Sequence, residues 1–86
     1  MPLISAFYGI LIRMFYNDHA PPHFHAVYGE FELRVEIQPL RILTGDAPPR
    51  VKALVFEWAS RHQVELLADW ELARQAQPLV NIPPLD

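Results

Sequence analysis

The 86-residue chain contains no cysteine, which excludes disulfides, thiolate metal sites and a cysteine nucleophile. It has no run near the ~20 apolar residues that cross a membrane. The nearly apolar segment 7–15 starts without basic residues, is interrupted by Arg13 and is followed by no small-residue cleavage site, so it reads as a buried strand and not as a leader. A basic stripe is missing too: the seven Lys and Arg are scattered from Arg13 to Arg74, and the net charge is −3. Non-specific nucleic-acid binding depends on neutralising phosphates, so only a local basic patch remains available. No internal repeat or low-complexity segment is visible. These absences place the chain, as an expectation, in the cytoplasm with no membrane segment.

What is present is apolar and aromatic: 51% and 12% of residues respectively. That is the composition of a folded chain. The length fits one domain, residues 1–86, with a thin stability margin.

Residues 4–16 read as one long strand, apolar on both faces, with Ile10, Ile12 and Met14 opposed to Leu11 and Phe15. Asn17-Asp18 and Pro21-Pro22 end it in a loop. Residues 23–28 and 31–37 read as a β-hairpin. Gly29-Glu30 suits a two-residue type II′ turn, and Phe31, Leu33, Val35 and Ile37 alternate strictly with Glu32, Arg34 and Glu36. A two-residue turn fixes the register. It sets Phe24 opposite Val35 and Ala26 opposite Leu33 on the core face. On the outer face His23 meets Glu36, His25 meets Arg34 and Val27 meets Glu32. After a turn at 38–41, residues 42–44 form a short fourth strand.

Pro48-Pro49 opens a helix whose apolar stripe is Val51, Leu54, Val55 and Trp58. Ser60 to Gln63 matches a capping box, with Ala59 and Val64 as its hydrophobic staple, so a second helix carrying Leu66, Leu67, Trp70 and Ala73 should follow and end near Gln77. One continuous helix is the alternative, because no Gly or Pro intervenes. The expected fold class is therefore α+β: a mainly antiparallel sheet of about four strands with two C-terminal helices packed on one face. Residues 78–86 form an extended tail whose Leu79, Val80, Ile82 and Leu85 pack back on the domain or meet a partner.

The segments Phe7-Tyr8-Gly9-Ile10, Asp18-His19, Pro21-Pro22-His23-Phe24-His25-Ala26 and Tyr28-Gly29-Glu30, with Glu57-Trp58, Glu65-Leu66-Leu67 and Trp70-Glu71, resemble a bacterial family of small proteins. It is domain-of-unknown-function family four thousand one hundred and sixty. The resemblance covers nearly the whole chain and brings no established activity. It implies a context of paired small genes similar to toxin–antitoxin modules. The small size of the domain and its apolar tail add the expectation of an exposed patch covered by a small protein partner or, in a homodimer, by a second copy.

Chemistry concentrates in residues 17–25. His23 and His25 are two apart in a strand and project from one face. With Asp18 and His19 they offer three imidazoles and a carboxylate, a donor set that suits Zn or Ni better than Mg or Ca. The His-x3-His-x-His spacing matches no established metal signature. A second reading needs no metal. His23, His25, Arg34 and Glu36 share the outer face, where imidazoles can move protons, Glu36 can orient His23 and Arg34 can hold a phosphate. That would be a ribonuclease-like centre acting on RNA. The plainest reading is that His, Glu and Arg form the polar outer face of a hairpin, in a module that binds another protein without catalysis. His62 reads as a capping or packing residue, and Trp58 and Trp70 as core.

Overall fold

The computed structural model describes residues 2–86. Five strands run β1 (Leu3–Phe7), β2 (Ile10–Arg13), β3 (His23–Tyr28), β4 (Phe31–Glu36) and β5 (Arg41–Asp46), followed by α1 (Pro49–Arg61) and α2 (Gln63–Arg74). The strands form one antiparallel meander in sequence order, each paired with the next. The class is α+β as expected, with one strand more, but the helices do not share one face: Trp58 of α1 packs on Phe24, and Trp70 of α2 packs on His23, which leaves β3 on the opposite side. No helix among the described residues is long and apolar enough to cross a membrane.

The extra strand comes from a turn inside the expected long strand. Phe7 pairs with Ile10, and the two residues between them, Tyr8 (φ 51°) and Gly9 (φ 78°), both lie in the left-handed region. Two successive positive φ angles define a type I′ hairpin turn, whose twist matches that of the flanking strands. Residues 4–16 are thus a hairpin arm, a turn and a second arm. The β3–β4 hairpin follows the expected register at all six pairs, from His23 opposite Glu36 to Tyr28 opposite Phe31. Of its turn residues only Gly29 takes positive φ, the pattern of type II′.

Alternation gives the sheet one wholly apolar face. Ile10, Ile12 and Met14, then Phe24 and Ala26, then Leu33, Val35 and Ile37 are all buried on it. Trp58 of α1 closes this face, with its ring 5.3 Å from Phe7 and 5.8 Å from Phe24, centroid to centroid. The tail packs back here. The indole N–H of Trp58 donates to the Pro83 carbonyl at 2.9 Å, and the Ile82 N–H donates to the Ile4 carbonyl at 2.8 Å. Ile82 and Leu85 are buried, while Val80 stays exposed.

The helices separate at His62 (φ −131°, ψ 25°), as expected, but not through a capping box. Ser60 lies inside α1, and its hydroxyl donates to the Glu57 carbonyl. The Gln63 amide reaches across to the Ile37 carbonyl at 2.8 Å instead of turning back. Val64 is 81% exposed, so no staple forms with the buried Ala59. His62 packs on Trp58 and bonds Glu65. The second helix ends at Arg74, three residues short of the expected Gln77.

Candidate metal centre

Facing away from the apolar face are Leu11 and Arg13 of β2, His23, His25 and Val27 of β3, and Glu32, Arg34 and Glu36 of β4. The histidines were expected to be solvated there. Instead His23 is 1% and His25 7% exposed. Three elements cover them. Trp70 of α2 lies 5.2 Å from the His23 ring, and Phe15 meets the His25 ring edge-on at 4.5 Å. The β2–β3 loop folds over both and is tied to the end of α2, where the Asn17 N–H donates to the Ala73 carbonyl. A polar strand face becomes a buried polar pocket because a loop and a helix close over it.

That loop delivers Asp18. Its Oδ2 lies 2.9 Å from His23 Nε2 and 3.5 Å from His25 Nε2, and one donor atom from each of the three residues falls within 4.8 Å of the others. The far sides of both rings are also held. His23 Nδ1 is 2.8 Å from the Pro21 carbonyl, and His25 Nδ1 is 2.9 Å from Glu32 Oε2. A carbonyl can only accept, so His23 carries its proton on Nδ1; the Glu32 carboxylate imposes the same tautomer on His25. In the neutral rings both Nε2 atoms then present lone pairs, and both atoms lie within 3.5 Å of one carboxylate oxygen.

Three electron-rich atoms pointed at one another need a cation between them. One proton can bridge the 2.9 Å contact of Asp18 with His23. It leaves His25 Nε2, which is buried and has no hydrogen-bond partner. A metal ion held by one donor from each residue would satisfy all three together. Two donors each ~2.1 Å from one ion lie ~3.0–3.4 Å apart at octahedral or tetrahedral angles, close to the 2.9 and 3.5 Å found here. Histidine ligands held through their other nitrogen by a carbonyl or carboxylate are the usual outer support of such centres. Burial pushes the Asp18 carboxyl up, but the His19 N–H and the two imidazoles outweigh it and hold the group below its ordinary range.

The remaining expected residues divide. His19 is exposed; its backbone N–H donates to Asp18 Oδ1, and its ring is not among the three donors. Glu36 sits opposite His23 in register but turns its carboxylate to Arg41, so Asp18, not Glu36, orients His23. Arg34 lies across from His25 and borders an open cleft of about 380 Å³ that Asp18, His25 and His19 also line. Glu32 was missed. Its signal was in the register: it lies opposite Val27, diagonal to His25 on the same face, within reach of a long side chain.

A family model described as a domain of unknown function (DUF4160) matches residues 9–71, a span that holds the three donors, both supporting acceptors and nearly all of both helices. This is the family that the Pro-Pro-His-Phe-His segment resembles. No match is found among curated proteins or solved structures.

Proposed function

We propose that this chain, which belongs to the DUF4160 family, binds one divalent transition-metal ion through Asp18, His23 and His25, with Pro21 and Glu32 holding the imidazoles in their ligating tautomer. The observation that carries the reading is the buried, unpartnered Nε2 of His25 aimed at the same Asp18 oxygen that His23 already faces. Two imidazoles and a carboxylate suit Zn, Ni or Fe(II) better than Mg or Ca. Three protein donors leave at least one coordination position open, which is the pattern of catalytic centres; structural zinc sites take four. A metal-independent ribonuclease would need both imidazoles to reach the substrate, and His23 is 1% exposed. The metal reading needs no such rearrangement. Membership of a two-gene toxin–antitoxin module is a separate proposal that rests on the family resemblance alone.

The test is elemental analysis and thermal melting of untagged protein with Zn²⁺, Ni²⁺ and Fe²⁺. Metal at about 100 times its Kd adds about 2.7 kcal/mol to stability. For a chain of this size that is about 10–20 °C in Tm. Asp18→Ala removes one donor from a half-buried loop position and should lose most of the shift. Protein that carries no stoichiometric metal and melts unchanged in excess of all three ions would overturn the reading.

A further inference from the structure

The metal reading says nothing of what occupies the open coordination position. The cleft beside the donors does. Asp18 and His25 form part of its wall, so it meets the centre from that side, while His23 lies behind. Opposite stands Arg34, placed by β4 directly across from His25. Among the described residues no carboxylate pairs with it; Glu32 is taken by His25 and Glu36 by Arg41. An unpaired guanidinium facing a cleft beside a cation centre is a fork for two oxygens of an anion. Phe15 and Tyr16 line the same cleft, and Tyr16 is 43% exposed, a large ring left to solvent at the rim. Arginine beside an exposed ring is the pairing that holds a phosphate and stacks the flat group it carries.

Building on the metal reading, we infer that the cleft binds a nucleotide. Its phosphate spans the Arg34 guanidinium and the open position of the centre at Asp18, His23 and His25, and its base rests on Tyr16. The local cation is what admits an anion here, because the chain as a whole carries a net charge of −3 and Asp18 itself is anionic. Binding is therefore expected to require metal.

Two calorimetric titrations separate this inference from the reading beneath it. Zn²⁺ is titrated into wild type and Arg34→Ala; then adenosine 5′-monophosphate, inorganic phosphate and adenosine are titrated into each zinc-loaded protein and into metal-free wild type. Arg34 has no bonded partner to lose, so zinc affinity should agree within about twofold between the two proteins. The monophosphate should bind zinc-loaded wild type more tightly than phosphate or adenosine alone. A charge-assisted fork is worth ~1.5–3 kcal/mol, so Arg34→Ala should weaken that binding by about 10–100-fold. Metal-free protein should bind the monophosphate at least tenfold more weakly. If zinc does not bind, the metal reading fails and the bridged phosphate with it. Should zinc bind while the monophosphate does not, or should Arg34→Ala bind it as wild type does, only the inference falls. Equal affinity for phosphate and the monophosphate would remove the nucleotide assignment.

Discussion

The two faces of the one sheet are built on opposite terms. On the apolar face Phe24 and Leu33 are fully buried, Phe24 against Trp58, and the one polar atom that Trp58 brings in is satisfied by the Pro83 carbonyl. On the other face His23 and His25 are nearly as buried, yet their Nε2 atoms lie beside a carboxylate, and that of His25, 3.5 Å away, makes no hydrogen bond. Burying an unsatisfied polar group costs about 1–3 kcal/mol. Ser5 Oγ and Asp69 Oδ2 are also buried without a hydrogen bond, but among the described residues only His25 Nε2 belongs to a cluster of three potential metal donors. The first face is packed for the fold. The second keeps three donor atoms together with one of them lacking a hydrogen bond, the arrangement on which the proposed metal centre rests.

Breaking the apolar face should have the largest effect. Trp58→Ala removes the ring that touches Phe7 and Phe24 together with the bond to the tail, and should cost about 3–5 kcal/mol by chemical denaturation. A chain this small has a total stability at the low end of the ~5–15 kcal/mol range, so the variant should keep at most about 2 kcal/mol of it. A loss below about 1 kcal/mol would mean that Trp58 is not the keystone of that face.

Gly45 tests the scaffold that both faces share. It takes φ +94° in β5, and a Cβ there would overlap the Glu32 carbonyl of β4. Gly45→Ala should cost about 1–3 kcal/mol. Because Glu32 holds His25, it should also weaken metal binding, which calorimetry can read separately. Unchanged stability would show that β4 and β5 are free to separate at this point.

On the second face the comparison sharpens at Glu32. Its carboxylate is half-exposed and bonds only His25 Nδ1, so Glu32→Ala should barely move the melting of metal-free protein. Loss of such an outer partner typically weakens a metal centre about 10–100-fold. An equal loss of stability with and without metal would make the contact merely structural.

The smallest effect concerns Asp69, a buried carboxyl of α2 that accepts the Val80 N–H. Burial raises its pKa above the ordinary 3.8, with the nearby Glu65 charge adding to the rise and the Val80 bond opposing it. The native state therefore binds this proton more tightly than the unfolded state. The contribution is fully present below about pH 3.8 and is lost as pH rises through the raised native value. Asp69→Asn should flatten that part of a stability-against-pH curve, and an unchanged slope would place its source elsewhere.

The β3–β4 hairpin was legible in the sequence because strict alternation met a two-residue Gly29-Glu30 turn, and together these fix every cross-strand pair. The Tyr8-Gly9 turn was not legible. Apolar residues run on through it, and a tyrosine at positive φ is uncommon. Asp18, His23 and His25 were visible as a local cluster. The burial of the two histidines was not, because it depends on Trp70, almost fifty residues away in sequence, and on a loop that docks against Ala73. Local pattern shows which way a side chain leaves a strand. It does not show what later folds over it.

The most direct test of the central claim is a crystal of untagged protein grown with Zn²⁺, with anomalous diffraction collected on both sides of the zinc absorption edge. The account predicts one strong peak within ~2.0–2.2 Å of Asp18 Oδ2, His23 Nε2 and His25 Nε2, with Glu32 still on His25 Nδ1. Well-ordered density with no peak among these three atoms, or zinc held only at His19 or His62, would contradict it.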